Sequence, residues 1–285
     1  MTLRRSPTNV CLLAAACLIG VFLLVPTLMV VPMSLSSSRF WIFPIPALSL
    51  RWYGEFLSDP EWLGSLTLSL RMAALAAAAA TVAGVSAAWT IVRSDLRSMK
   101  ILGIGILLPL LMPLIALAAS CYFLFSRLGW VGSPWAMAMV HAVLALPTVA
   151  LTTYLGILGI DIRVEWAARS LGATTPSVFF LVVLPQLWPS VLLGYLLAFG
   201  ISMDEIVIAN FLAGTSAITL PKRMFDGIRF DVDPKAAVAA VCLLAVTLLI
   251  VVVSSVVTRL VKGYLARPQA APGEPPPAAP SSSRR

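Results

Sequence analysis

Six stretches of this chain contain no Asp, Glu, Lys or Arg: Val10–Met33, Met72–Val92, Ile101–Ser126, Val131–Ile160, Ser170–Met203 and Ala236–Thr258. A helix needs ~20 consecutive apolar residues to cross the hydrocarbon of a bilayer. Inside lipid the backbone must satisfy its own hydrogen bonds, and a helix does so within one segment. The runs therefore predict an all-α, polytopic membrane protein with six transmembrane helices. Composition agrees, with 60% hydrophobic residues, 11% charged residues and a mean hydropathy of +0.96. A soluble domain is ~45–50% apolar and ~25% charged, so one core of this size could not hide the excess. Lipid is the solvent this chain implies.

The spans are expected near 10–33, 66–92, 101–126, 134–158, 185–204 and 236–260, within a transmembrane domain covering 1–265. The fifth run is too long for one span and carries Pro176, Pro185 and Pro189. Its first part is therefore assigned to a cytoplasmic loop, 159–184, with the span itself starting near Pro185. The first run follows Arg4 and Arg5, as a secretory signal would, but its 24 residues exceed the ~7–15 of a cleaved apolar region. A retained first helix is expected. The segment 266–285 is Pro, Ala and Ser with almost nothing large and apolar, which predicts a disordered cytoplasmic tail.

The net charge of +8 does not indicate nucleic acid, because the basic residues form no stripe with interleaved aromatics and gather between the apolar runs. There they report orientation. With both termini cytoplasmic, the inner segments hold twelve Lys and Arg against four acids, and the outer segments seven against eight. Arg71, at the edge of the second span, can snorkel to the interface. Cys11, Cys17, Cys121 and Cys242 lie inside apolar runs without C-x-x-C spacing, which suits small buried hydrophobes rather than zinc or disulfides. His141 is the only histidine and has no second ligand at helical spacing. It reads as a packed histidine rather than a metal ligand or proton relay. No catalytic residue and no metal site are expected.

The informative stretch runs from Asp161 to Pro185. Glu165–Leu171 reads as a short helix with Ala167 and Ala168 side by side, stopped by Gly172. Thr174 or Thr175 can cap a second helix with Pro176 in its first turn. Two short helices meeting at a glycine make a compact knob that another protein can grip.

This stretch resembles the "EAA" loop of ABC importer permeases, E-A-A-x-x-x-G-x(9)-I-x-L-P. Ala167, Ala168 and Gly172 are followed by Val182-Val183-Leu184-Pro185, thirteen residues from the Gly to the Pro. Trp166 stands where the pattern has its Glu, and Glu165 is one residue early, so its side chain is turned by ~100° around the helix. The resemblance extends over the chain after Pro26 and sharpens toward the spermidine/putrescine type. Ser202-Met203-Asp204-Glu205 is similar to the S-x-D-[DE] of those permeases. Ser49–Tyr53 lies where they carry S-x-x-W-Y, and Leu220–Arg229 is similar to the outer loop of relatives handling polyamines, opines or aminophosphonates. Leu114, just after Pro113, stands where polyamine permeases place an acid.

The resemblance implies the type I importer permease fold and a permease subunit of an ATP-driven importer for a small amine-bearing solute. The coupling loop toward an ATPase would comprise Glu165, Trp166, Ala167, Ala168, Leu171, Gly172, Leu184 and Pro185. The substrate path would include Trp52, Ser202, Asp204 and Glu205. Trp52 also suits an interfacial aromatic belt, and Asp204 and Glu205 also suit a helix leaving the bilayer. The partners implied are an ABC ATPase dimer, a second permease forming a heterodimer, a periplasmic or surface binding protein, and membrane lipid. The place implied is the bacterial inner membrane. The chain has no G-x-x-x-x-G-K-[ST] phosphate loop, so no cofactor of its own is expected and ATP is assigned to the partner. The alternative function is an ion-coupled secondary transporter or channel subunit. Sparse mid-span charge, no evident internal repeat and the EAA-like loop oppose it.

Overall fold

The computed structural model describes residues 7–94 and 96–265. Among them the chain is helical apart from connecting loops and one isolated β-bridge between Ser36 and Leu48. Helix α1 spans Pro7–Ser34, α2 Arg51–Ser58, α3 Pro60–Arg93, α4 Arg97–Leu111, α5 Leu114–Arg127 and α6 Pro134–Leu158. Then come α7 Ile162–Ser170, α8 Thr175–Val178, a π-helical turn Phe179–Val183, and α9 Leu184–Met203. Short helices α10 (Val207–Leu212) and α11 (Leu220–Asp226) lead through a second π-helical turn, Gly227–Asp231, to α12 (Lys235–Leu265). Among the described residues, five helical segments are long and apolar enough to cross a membrane, and six if α4 and α5 together form one bent span. The predicted tail at 266–285 lies outside the described residues.

Two spans differ in form from the sequence-based reading, and proline explains both; α3 also starts earlier than expected, at Pro60, and α12 runs on to Leu265. The third run is not one helix: α4 and α5 meet at a bend of 101°. Proline disfavours helical backbone at the residue before it, and Met112, ahead of Pro113, is extended at ψ 135°. The fifth run, expected to divide into a loop and a later span, is helical without interruption from Thr175 to Met203. Pro185 donates no backbone N–H and its ring crowds the carbonyl four residues back. The π-helical turn absorbs this. The Leu184 N–H bonds the Phe179 carbonyl, five residues back, and the Gln186 side-chain amide donates to the Val182 carbonyl at 2.7 Å.

The centre of the molecule is the bundle of α3, α6 and α9. Helices in lipid gain nothing from hydrophobic segregation against each other, so they associate where small residues allow close approach. Here α3 contributes Ala73, Ala76, Ala77 and Ala80, each almost fully buried. Gly84 of α3 lies against Val149 and Ala150 of α6, and Gly156 and Gly194 bring α6 and α9 together at Ser190 and Thr152. A Cβ at Gly84 would lie 2.9 Å from Val149 Cγ1 and 3.1 Å from the Ala150 backbone nitrogen. Gly84→Ala is thus expected to cost roughly 1–3 kcal/mol of stability by overpacking. A lower midpoint of thermal unfolding in detergent would show it; an unchanged midpoint would mean that α3 and α6 separate freely. Helix α1 packs against α12 and otherwise presents Leu12, Leu18 and Phe22 outward.

Candidate functional site

The loop between α6 and α9 is shaped by two local devices. Asp161 caps α7, accepting the Arg163 backbone N–H at 2.9 Å. At the far end Gly172 adopts φ +89°, the Gly172 N–H bonds the Arg169 carbonyl, and the Ala173 N–H bonds the Ala168 carbonyl. This paired closure ends a helix on a residue of positive φ, which favours glycine. The chain then turns into α8, with Pro176 in its first turn.

The two faces of α7 differ sharply. Ala168 packs into the cluster of Ala88, Ile157, Val178, Val183 and Leu187. Glu165, three residues earlier and so on the same face, is 2% exposed and accepts from Arg93 Nη2 at 2.6 Å and Nε at 3.0 Å. On the outer face lie Trp166, 58% exposed, Ala167, and Leu171, 89% exposed. The result is a solvent-facing knob, with Trp166, Ala167 and Leu171 set beside the exposed Arg163, Arg169 and Ser170, on a charged and buried root. Of the loop residues singled out from the sequence, the structure gathers Trp166, Ala167, Leu171 and Gly172 on the exposed knob. Glu165 and Ala168 lie beneath it. Leu184 and Pro185 belong to the start of α9, Leu184 half-buried and Pro185 exposed.

The other predicted residues do not form one constellation. Ser202 is 6% exposed, and its Oγ is 2.8 Å from His141 Nδ1, which links α9 to α6. Asp204 follows the end of α9, with its side chain exposed and without a hydrogen-bond or ion-pair partner among the described residues. Glu205 is half-buried and accepts the Ile208 backbone N–H at 2.9 Å, closing the turn into α10. Burial pushes its carboxyl above the usual carboxylate range; the Ile208 and Val207 N–H groups pull the other way. Trp52 is elsewhere. It is 5% exposed in a cluster with Phe56, Trp62, Leu220, Ala236 and Val238. Its Nε1 donates to the Ser36 carbonyl at 2.8 Å, and the Arg51 guanidinium covers its ring at 4.8 Å. Leu114, at the start of α5, packs against the cluster around Met72, Ala118 and Met137.

Sequence reading missed a charged belt at the end of the bundle opposite α7. Asp59 caps α3 and receives Lys235 Nζ of α12 at 2.6 Å. Burial raises the Asp59 carboxyl, but the Lys235 ammonium and the Glu61 and Trp62 N–H groups outweigh it and hold the group below its ordinary value. Arg223 of α11 bonds Ser65 Oγ at 2.7 Å and pairs with Glu61, while Ser69 Oγ accepts the Leu220 N–H at 2.8 Å. These bonds tie the α11 segment to the first turns of α3. The signal was the near balance of acids and bases in the outer segments, which says that partners exist but not which. Beside the belt lies a polar depression of about 390 Å³ lined by Arg39, Arg51, Trp52, Glu55, Asp233, Pro234 and Lys235. No group of three or more His, Cys, Asp or Glu side chains placed to hold a metal occurs among the described residues.

Residues 80–266 match the family described as "Binding-protein-dependent transport system inner membrane component". The chain is 36% identical over 248 residues to the putrescine transport system permease protein PotI of Escherichia coli (strain K12), covering 84% of this chain and 86% of that one. It is 30% identical over 238 residues to the spermidine/putrescine transport system permease protein PotC of the same organism, covering 84% and 90%. Among solved structures, a bacterial ABC transporter involved in import of the acidic polysaccharide alginate matches with a TM-score of 0.64 at 17% identity. That match covers 90% of this chain and 98% of that one.

Proposed function

The chain belongs to the family of binding-protein-dependent transport system inner membrane components, and we propose that it forms, with a second permease, the path for a small amine-bearing solute in an ATP-driven importer. That it is an ABC importer permease of the bacterial inner membrane, multi-pass and not itself an enzyme, follows from the family and its relatives. The finer reading rests on one observation above the rest. Nine residues of helix, α7, are held on the bundle by a buried ion pair while the apolar side chains of Trp166, Ala167 and, just past the helix, Leu171 are left open, rimmed by Arg163 and Arg169. Exposed apolar side chains gathered at one spot and rimmed by polar residues mark interaction sites.

In this proposal the transmembrane unit is 1–265, both termini are cytoplasmic, and an ATPase dimer grips the two α7 knobs, one from each permease of a heterodimer. ATP is bound by that partner and no cofactor by this chain. Closure of the ATPases moves the knobs and biases the bundle between inward- and outward-facing arrangements, a two-state element driven by a ligand bound elsewhere. A binding protein delivers the solute at the opposite end, against α2, α11 and the depression around Arg51 and Lys235. The amine class draws support from the relatives named for putrescine and spermidine and from the free carboxylate of Asp204. The ion-coupled alternative has less to work with, because charged residues are sparse within the spans; His141 bonds Ser202 through Nδ1, and its buried Nε2 has no partner among the described residues.

The reading is tested by deleting the gene and measuring ATP-dependent uptake. Putrescine uptake should be lost and molybdate uptake kept, and the purified chain should retain an ATPase. Reporter fusions after Arg97, Arg163 and Arg267 should read as cytoplasmic, and fusions near Glu61, Arg127 and Arg229 as external. An external reading after Arg163 would put α7 out of reach of ATP and end the proposal.

A further inference from the structure

We infer that Glu165 works inward as a positioning residue: with Arg93 it fastens α7 to the end of α3, so that force applied to the knob reaches the central bundle directly. The inference rests on the reading of the α7 knob as an ATPase dock. Three contacts carry it.

The first is the pair itself, in which both Nε and Nη2 of Arg93 donate to the same Glu165 oxygen. The Glu165 side chain is 2% exposed and that of Arg93 16%. The second is the support behind Arg93, whose guanidinium lies 5.6 Å from the centre of the Trp89 ring one turn earlier on α3. The third continues the line, since Trp89 packs at 5.3 Å against Phe179, the first residue of the π-helical turn that leads into α9. The root of α7 is thereby joined to α3 and, through Trp89, to α9. Without the pair, a nine-residue helix, too short to persist alone, would rest on this face mainly on the small side chain of Ala168. Separating a buried pair strands a charge away from water, so α7 cannot move without carrying α3 along or breaking the bond. In α3, Arg93 leads back to the alanines and Gly84 that pack on α6 and α9.

This role differs from a docking role in what its loss would do. A docking Glu would lose the ATPase when neutralised. A positioning Glu would keep it and lose the coupling, because the outer face of the knob is untouched. The test uses the whole importer, this chain with its native partner subunits, reconstituted in vesicles, with solute moved per ATP hydrolysed as the main readout. Glu165→Gln should accumulate in the membrane and retain the ATPase, while solute moved per ATP falls roughly tenfold, as expected when a charge-assisted hydrogen bond is weakened. Arg93→Lys keeps the charge but not the two-pronged bond and should lower the same ratio. The exchange Arg93→Glu with Glu165→Arg should bring it back toward wild type.

Loss of the ATPase from Glu165→Gln would make Glu165 a docking contact and overturn the inference. So would an unchanged ratio, or an exchange variant that assembles but does not recover. If Glu165→Gln and Arg93→Lys both fail to accumulate, the pair serves folding alone and the inference is again overturned. Failure of the dock itself would look different, since the wild-type chain would then retain no ATPase at all.

Discussion

Leu171→Glu is expected to lower solute uptake roughly thirtyfold or more while the protein reaches the membrane at its normal level. Leu171 is 89% exposed and its side chain is missing from every buried cluster, so replacing it removes nothing the fold depends on. Substitutions at such surface positions usually change stability by less than about 0.5 kcal/mol. The same position at the centre of a partner's contact would be another matter. Burying an unpaired carboxylate against an apolar surface is costly, and truncating an interface hot spot costs ~2 kcal/mol or more. The expected loss is therefore roughly thirtyfold or greater, with the ATPase no longer co-purifying. Gly172→Ala provides the graded comparison. Nothing lies within 4 Å of its Cβ, so the only cost is holding a side chain at φ +89°, on the order of 1–2 kcal/mol. Uptake by that variant should fall less than by Leu171→Glu. Normal uptake and normal ATPase retention in Leu171→Glu would remove the knob from the mechanism.

Much of this arrangement was legible in the sequence because the features are local. The approximate places of the long apolar helices follow from charge-free length, except at the two runs that proline reshapes, and the stop at Gly172 follows from the spacing of small residues around one glycine. That Glu165 is turned from the pattern's position was also legible, since one residue of displacement on a helix is ~100° of rotation, but not that the turn is inward. Its partner was not legible: Arg93 is 72 residues away, and the sequence offers several cations near the same level. Trp52 shows the same limit. A tryptophan beside an arginine near a membrane surface reads equally as a belt residue or a substrate contact. Only the packing of α2 on α12 and α3 buries its ring and directs its Nε1 to Ser36. At Met112-Pro113 the signal was present but open to a different use. The missing acid at Leu114 drew attention to charge, whereas the proline acts on the backbone and breaks the span. The π-helical turn before α9 likewise depends on how a long helix accommodates Pro185 rather than ending at it.

The two acids at the end of α9 read as a pair in the sequence but are unlike in the structure, and that difference sets the last prediction. Asp204→Asn should lower uptake of an amine solute strongly, whereas Glu205→Gln should lower it little. Glu205 spends one carboxylate oxygen on the Ile208 N–H and is half-buried; its neutral form is favoured first by that burial. A glutamine there keeps an acceptor oxygen for the same bond, so the turn into α10 survives. Asp204 is exposed, with no partner for its side chain among the described residues. Its charge is therefore the one a passing ammonium group would meet. A hydrogen bond to a charged group is worth roughly 1.5–3 kcal/mol, which corresponds to roughly a ten- to hundredfold loss when asparagine removes the charge at constant size. The loss should be read at low solute concentration, where it reflects binding, and should shrink as concentration rises. Glu205→Ala, which removes the cap, should instead lower protein abundance or stability at every concentration. The opposite ranking, with Glu205→Gln the more damaging for transport, would mean that the buried acid meets the solute. Wild-type uptake by Asp204→Asn would leave the amine class resting on kinship with putrescine and spermidine permeases alone.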